Sequence, residues 1–134
     1  MNRYFLDTNI LLDFLGNRQP FGKYALEILN KSRTKEWELW TSDNSILTSY
    51  YIIAKEIGEA ESRIKISRLI NFLEIQPTQK THIQQALDSN FKDLEDGVQY
   101  FCASGIPGLE GIITRNKKDF KTSQIPVFEP WEVV

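Results

Sequence analysis

Residues 3–15 read RYFLDTNILLDFL, an apolar run that ends at an aspartate and continues as a helical pattern. The short run at its start predicts a buried strand over residues 3–6. Apolar side chains then recur from Ile10 to Leu15 at the spacing of an amphipathic helix. The segment therefore predicts a strand that is followed almost at once by a helix, with Asp7 at the junction.

The rest of the chain repeats this alternation of short apolar runs and helical patterns. Further strands are predicted at residues 37–41, 74–76, 111–114 and 126–128. Further helices are predicted at residues 22–31, 62–73, 78–89 and 93–104, and one more begins at Ser42. Strands that alternate with helices indicate an α/β fold, an α/β/α sandwich with a mainly parallel central sheet. Such a sheet carries functional residues at the carboxyl ends of its strands, which singles out Asp7 and residues 114–116.

Length and composition indicate one ordinary globular domain. The 134 residues fit a single domain over 1–134, with no internal repeat and no low-complexity segment. Hydrophobic residues make up 41% and charged residues 25%, which argues against a disordered, collagen-like or coiled-coil chain. The net charge of −2 does not indicate a strongly basic nucleic-acid-binding domain. It is compatible with an enzyme that holds phosphate through a metal and a small local patch.

The single cysteine and the single histidine exclude a disulfide framework, a Cys-rich zinc site and most His-based metal sites within one chain. Cys102 is predicted to be a buried, inert thiol and His82 a surface residue. No apolar run approaches the roughly 20 residues that cross a bilayer, so no membrane partner is expected. Asp7 falls where a signal peptide is apolar, and the expected compartment is the reducing cytoplasm.

Asp7, Thr8 and Asn9 stand between the first strand and its helix. An aspartate at this position can simply cap the helix. Alternatively, its carboxylate is held at the mouth of the sheet and is free to bind a hard divalent cation. Thr8 is then expected to hydrogen-bond that carboxylate and orient it, whereas Asn9 is expected to act only locally.

Asp93 and Asp96 lie one turn apart at the start of a predicted helix. Acidic side chains are generally favoured there by the helix dipole, and this explanation suffices for Glu95. Asp96 differs, because apolar residues follow it closely and place it at the buried edge of the helix. An unpaired charge at such a position is costly, and a metal ion would compensate for it.

The segment at residues 114–121 combines Asp119 with several basic residues, among them Arg115. One interpretation is a solvated loop with local ion pairs. In the other interpretation, Asp119 or Asn116 gives a metal another oxygen ligand. Arg115 and the neighbouring lysines would then contact a phosphate backbone.

Carboxylates from distant parts of the chain that meet at one sheet edge would form a site for Mg²⁺ or Mn²⁺. Both ions prefer oxygen ligands and retain water molecules for a phosphate or a nucleophile. The implied chemistry is hydrolysis of a phosphodiester, in which the metal polarises the phosphoryl oxygen and lowers the pKa of a bound water.

Three segments together resemble the PIN-domain family, most closely its small single-domain VapC-like members. They are residues 5–13 (FLDTNILLD), 93–99 (DLEDGVQ) and 113–120 (ITRNKKDF). Their order and spacing agree with the family, so the resemblance covers essentially the whole chain. Asp7, Asp96 and Asp119 match the acidic metal site of the family. Asn116 matches a neighbouring position that is Asp or Asn in relatives, and Asp93 matches an additional acid of one subgroup.

One departure from the family concerns the glutamate that its members usually carry in the helix after the second strand. Its place falls at Thr48, or at Ser49 with a one-residue slip, and neither residue supplies a negative charge. Asp43 or Asn44, about one turn earlier, is one possible substitute. The extra carboxylate of Asp93 is another.

The resemblance implies a ribonuclease that uses Mg²⁺ or Mn²⁺ to cleave single-stranded RNA, often as the toxin of a toxin–antitoxin pair. An antitoxin protein is then an expected partner, and the sequence leaves a homodimer open. The alternative is a PIN-like module that binds RNA or protein with weak or no catalysis, because the glutamate is missing. An aspartyl-phosphate enzyme with Asp7 as nucleophile is less favoured, since Asn9 stands where its second aspartate is expected.

Overall fold

The computed structural model describes residues 2–134 and contains one central sheet flanked by helices. Its strands are β1 (Asn2–Leu6), β2 (Trp37–Ser42), β3 (Leu73–Gln76), β4 (Leu109–Ile113) and β5 (Val127–Phe128). Its helices are α1 (Thr8–Leu15), α2 (Gly22–Arg33), α3 (Asp43–Ile57), α4 (Glu59–Leu69), α5 (Lys80–Leu87), α6 (Leu94–Ser104) and α7 (Pro130–Val133). Every strand pair is parallel, in the order β3-β2-β1-β4-β5, which confirms the predicted α/β/α sandwich. None of the helices within residues 2–134 has the length and apolar character that crossing a membrane requires.

Strand β1 lies at the centre of the sheet, and its register determines what stands beside its carboxyl end. Phe5 is opposite Trp40 of β2 and Ile112 of β4. Just beyond β1, the backbone N–H of Asp7 donates a hydrogen bond to the carbonyl of Ile113 at 3.0 Å. The ends of β1 and β4 therefore lie side by side, at the sheet edge where the sequence predicts a site.

Apolar side chains fill the space on both faces of the sheet. Successive residues of a strand point to opposite faces, so Phe5 and Leu6 belong to different clusters. Leu6 packs with buried residues of α1 and α2, such as Ile10 and Ile28. Phe5 packs with residues of α6 and β4, among them Tyr100. These two clusters hold α1 and α6 against the sheet, and both helices begin next to predicted acidic site residues.

Two of the helix predictions need correction. The helix predicted at residues 62–73 begins earlier and ends at Leu69, where a 3-10 turn leads into β3. The helix predicted from Thr78 begins at Lys80 instead. Thr78 is engaged elsewhere, because its backbone N–H and its hydroxyl donate hydrogen bonds to Oδ1 of Asp43 at 2.9 and 2.7 Å.

The prediction that His82 is a surface residue is wrong. His82 is 8% exposed, and its Nδ1 accepts a hydrogen bond from the backbone N–H of Gln79 at 3.0 Å. This bond closes the N-terminus of α5, so the imidazole is part of a helix cap. Cys102 is a free, buried thiol, as predicted.

Candidate active site

Asp7 lies at the carboxyl end of β1 and caps the N-terminus of α1. The residue is only 6% exposed. Its Oδ1 accepts a hydrogen bond from the backbone N–H of Thr8 at 2.8 Å. Its Oδ2 accepts hydrogen bonds from the hydroxyl of Thr114 at 2.7 Å and from the side-chain amide of Asn9 at 3.3 Å. Capping and membership of a site are therefore compatible, because the cap itself fixes the carboxylate at the sheet edge.

Hydrogen bonds of Thr114 and Asn9 connect the ends of β1 and β4. The buried hydroxyl of Thr114 donates to Asp7. It also accepts hydrogen bonds from the side-chain amide of Asn9 and the backbone N–H of Asn116, both at 3.1 Å. The side-chain oxygen of Asn9 accepts from the backbone N–H of Arg115, again at 3.1 Å. Sequence reasoning missed this role of Thr114, although a hydroxyl residue directly after a strand next to β1 was a usable signal.

The other predicted acids come from the start of α6 and from the segment after β4. Asp93 caps α6, and its Oδ1 accepts a hydrogen bond from the backbone N–H of Asp96 at 3.0 Å. Asp96 is half-buried in the first turn of that helix. Asp119 is exposed in a 3-10 turn after β4, and Asn116 is exposed just before this turn. The backbone thus carries acidic side chains from three separate segments to the same end of the sheet.

A cleft of about 650 Å³ contains acidic and basic side chains together. Its acids are Asp93, Asp96 and Asp119, and its cations are Lys92, Lys118 and Lys121. Within residues 2–134, neither Asp7 nor any of the acids in the cleft forms an ion pair with Lys or Arg. The sequence did not indicate Lys92 as a residue of this site, because it is distant in the chain from Lys118 and Lys121.

Burial and the neighbouring carboxylates both act on the carboxyl group of Asp96. Its pKa is raised from 3.8 to about 7, first by burial and then by neighbouring negative charges. These charges are on Asp7, Asp93, Asp119 and Glu95, in decreasing order of effect. Burial also raises the pKa of Asp7, although hydrogen bonds from Thr114 and Thr8 oppose the rise. The predicted acids therefore lie close enough together for their charges to act on Asp96.

This set of side chains fits a hydrated divalent cation. It offers carboxylate oxygens, whose negative charges repel one another when no cation is present. Across residues 2–134, no three Asp, Glu, His or Cys side chains stand close enough to form a metal site by themselves. Mg²⁺ usually keeps several waters and takes one or two carboxylates together with substrate phosphate, so a closed shell is not required. Asp7, Asp96 and Asp119, with Asp93 beside them, are the candidates to hold such an ion.

The side of the site that faces α3 is neutral. The hydroxyl of Ser45 is hydrogen-bonded to that of Thr8 at 2.8 Å and to the side-chain amide of the buried Gln99. Gln99 accepts a further hydrogen bond from the hydroxyl of Ser42 at 2.6 Å. Ser49, one turn along α3, is fully buried, and its hydroxyl has no hydrogen-bond partner within residues 2–134. Hydroxyl and amide groups therefore occupy the region where the resemblance led us to expect a glutamate.

Two residues weighed in the sequence analysis, Thr8 and Asp43, have hydrogen-bond partners that the sequence did not indicate. The backbone N–H of Thr8 orients Asp7, whereas its hydroxyl points towards α3 and α6. Thr48 is half-buried on α3. Asp43, a possible substitute for the glutamate, is bound to Thr78. Burial opposes the ionisation of Asp43, but hydrogen bonds from Thr78 and from the first turn of α3 outweigh burial and lower its pKa.

The guanidinium group of Arg115 is bound within the protein. Its Nε donates to Oδ2 of Asp13 at 2.5 Å, and its Nη2 donates to Oδ1 at 3.2 Å. Its central carbon lies 4.2 Å from the centre of the Phe21 ring, a cation–π contact. Lys117 is paired with Glu132 at 3.2 Å. A contact of Arg115 with phosphate would have to replace its bonds to Asp13, which is only 1% exposed.

We expect Asp96→Asn to stabilise the metal-free protein at high pH. The folded protein keeps a proton on Asp96 up to about pH 7, whereas the unfolded chain releases it near its ordinary pKa of 3.8. Ionisation of Asp96 therefore destabilises the fold progressively from about pH 4 to about pH 7, and fully above that. At pH 8, the free energy of unfolding of the variant should exceed that of the wild type by about 1–2 kcal/mol, a modest value because solvent screens the partly exposed carboxylate. Near pH 4 the two proteins should be equally stable.

Urea unfolding at pH 4, 6 and 8 with a chelator measures this difference. Glu27→Gln is a matched control, because Glu27 is exposed in the middle of α2 and forms no ion pair within residues 2–134. Its stability should follow that of the wild type. If Asp96→Asn and the wild type unfold at the same urea concentration at every pH, the pKa of Asp96 is not raised in the folded protein.

Comparison with known sequences shows the family of this chain. A family model described as PIN domain matches residues 3–118. This is most of the chain, and the chain belongs to the PIN domain family. Ribonuclease VapC1 of Aquifex aeolicus (strain VF5) is 33% identical over 132 residues, a match that covers 93% of this chain and 88% of that protein.

Comparison with solved structures supports the same fold. VapBC2 from Rickettsia felis, bound to a DNA fragment from their promoter, matches with a TM-score of 0.70 and 15% identity, over 95% of this chain and 98% of that one. A toxin–antitoxin complex from Klebsiella pneumoniae matches with a TM-score of 0.67 and 25% identity, over 95% of this chain and 97% of that one. Nearly the full length of each chain is therefore superimposable on the other.

Proposed function

We propose that this protein is an endoribonuclease that cleaves single-stranded RNA with the help of Mg²⁺ or Mn²⁺. The proposal depends on one observation, a cleft in which acids able to bind a cation stand beside lysines able to bind phosphate. A relative that is 33% identical is named a ribonuclease, which supports RNA as the phosphodiester substrate. We also propose that the protein works in the cytoplasm, where its buried thiol stays reduced.

Each group of side chains has a distinct task in this mechanism. Asp7 is held in one orientation by its three hydrogen bonds, so it is pre-organised to receive a cation. Asp96 and Asp119 supply further negative charge that would attract the cation. When bound, the cation would polarise the phosphate as a Lewis acid and activate a water for attack on phosphorus. The phosphate backbone would be held by cations of the cleft, Lys92, Lys118 and Lys121.

We further propose that the protein acts as the toxin of a toxin–antitoxin pair and binds a protein antitoxin. The Klebsiella pneumoniae structure is a complex of this kind. Helix α3 leaves Leu47 and Tyr51 67% and 63% exposed, which gives a partner apolar surface to bury. The same surface is available to a second copy of the chain, so a homodimer is part of this proposal.

A binding module without catalysis is the second candidate function. One observation favours it, namely that Ser49, one of the two expected positions of the glutamate, is a buried neutral side chain, and that Ser45 one turn earlier is bound to the neutral Gln99. It ranks below the ribonuclease for two reasons. Asp93 adds a carboxylate to the cleft, and the 33% identical relative is named a ribonuclease.

Incubation with a labelled single-stranded RNA tests the proposed activity. We expect the purified protein to cut this RNA in Mg²⁺ or Mn²⁺, to stop when EDTA removes the ion, and to resume when the ion is restored. The same sequence in a duplex is the control for strand preference. Cutting that continues in EDTA would contradict metal dependence, and binding without cutting would favour the binding module.

A further inference from the structure

A second hollow lies next to the acidic cleft. It measures about 350 Å³, and its lining includes the aromatic side chains of Phe91, Tyr100 and Phe101. Asn90, Phe91 and Thr122 line both the hollow and the cleft, so the two are adjacent. The lysines of the cleft and the aromatic rings of the hollow therefore lie on neighbouring parts of the surface.

Phe91 and Phe101 are half-buried, and we call this pair the aromatic shelf. Their ring centres are 6.3 Å apart, and the rings are inclined at 71°. Tyr100 supports both rings, with centre distances of 5.3 Å to Phe91 and 5.1 Å to Phe101. Tyr100 itself is buried, and its hydroxyl accepts a hydrogen bond from the backbone N–H of Gln124 at 3.1 Å. Each ring of the shelf thus lines the hollow and is partly exposed, so a flat ligand can contact it.

Polar side chains with unused hydrogen-bonding capacity stand beside the aromatic shelf. The side-chain amides of Asn90 and Gln124 line the hollow and make no hydrogen bond within residues 2–134. Each amide offers both donors and an acceptor. Flat aromatic rings flanked by such groups match an unpaired nucleobase, which presents a π face for stacking and a polar edge for hydrogen bonds.

We propose that the aromatic shelf binds an unpaired base of the RNA whose phosphates lie along the lysines of the acidic cleft. This inference rests on the proposed function and deepens it, because it assigns a site to the preference for single strands. A base in a duplex is stacked and paired, so it cannot enter the hollow. The position of the hollow beside the lysine-lined cleft favours RNA over a protein side chain as its occupant.

RNA binding by Phe101→Leu tests the shelf. Leucine keeps an apolar side chain on α6 but removes the aromatic face. With chelator present to prevent cutting, we expect the dissociation constant for a labelled single-stranded RNA to rise about 5- to 100-fold. Asn90→Ala, at an exposed position, should weaken binding less and without a change in stability. Phe14→Leu is the control, because Phe14 is half-buried on α1 outside the hollow.

Affinity measurements on a series of RNAs, each lacking the base at one position, identify the base that the shelf binds. For the wild type, we expect an abasic site at one position of the RNA to weaken binding as much as Phe101→Leu weakens binding of the intact RNA. For the Phe101→Leu variant, an abasic site at that position should leave the affinity unchanged. If Phe101→Leu binds RNA as tightly as the wild type, or if every abasic position costs the same in both proteins, the shelf does not hold a base. Unchanged RNA affinity with loss of a protein partner would overturn the inference in the same way.

The proposed ribonuclease activity and the proposed role of the shelf can be tested independently. Cleavage of RNA by the wild type in Mg²⁺ tests the activity, whereas the affinities in chelator test the shelf. A protein that cleaves RNA while Phe101→Leu leaves its affinity unchanged contradicts only the shelf. A protein that binds RNA through the shelf but never cleaves it contradicts only the enzyme.

Discussion

Replacing Asp96 with asparagine should lower the rate of RNA cleavage by about 100-fold or more. The pKa of Asp96 is raised to about 7, first by burial and then by the negative charges of the other acids. Removal of this carboxylate takes away one of the groups that would bind the cation, so the variant should also need more Mg²⁺. The initial cleavage rate over a Mg²⁺ titration measures both effects.

The loss of activity in Asp96→Asn is separable from a loss of structure. We expect the variant to be at least as stable as the wild type above pH 7, for the electrostatic reason given above. Glu27→Gln makes the same acid-to-amide change on an exposed position of α2 and should cleave at the wild-type rate. Full activity in Asp96→Asn would remove Asp96 from the site.

Arg115→Met should destabilise the protein by about 3–5 kcal/mol. The substitution leaves the carboxylate of Asp13, which is 1% exposed, without the cation that binds it through both oxygens. It also removes the contact between the guanidinium and Phe21. Chemical denaturation at neutral pH measures the free energy of unfolding.

Two further variants show that the loss comes from the buried ion pair. Combining Asp13→Leu with Arg115→Met should recover most of the stability, because no buried charge is left unpaired. Arg18→Met is the control, since Arg18 pairs with Glu56 at the surface, and it should change stability by about 0.5 kcal/mol at most. Unchanged stability of Arg115→Met together with weaker RNA binding would instead restore the sequence-based prediction that Arg115 contacts the phosphate backbone.

The fold and the position of Asp7 at the end of β1 were predictable because local patterns determine them. The run before Asp7 has strand character, the pattern after it is helical, and the confirmed parallel sheet follows from the repetition of that unit. The carboxyl end of β1 then has a definite place in the sheet. For this reason Asp7 could be proposed as a site residue without any knowledge of its contacts.

The contacts themselves were not predictable, because they join residues far apart in the chain. Thr114 meets Asp7 only after β1 and β4 pair. Arg115 was expected either to form local ion pairs or to contact phosphate, yet it is bound to the distant Asp13, which the sequence shows only as one polar residue in an apolar helix. His82 looked polar and exposed because its role as a cap depends on where α5 begins.

Diffraction near the manganese absorption edge from crystals soaked in Mn²⁺ tests most directly whether one cation joins these distant acids. We predict an anomalous peak between the carboxylates of Asp7, Asp96 and Asp119, and no such peak in Asp96→Asn crystals at the same Mn²⁺ concentration. A peak that is absent from this region in the wild type, or that appears only elsewhere on the protein, would contradict the account.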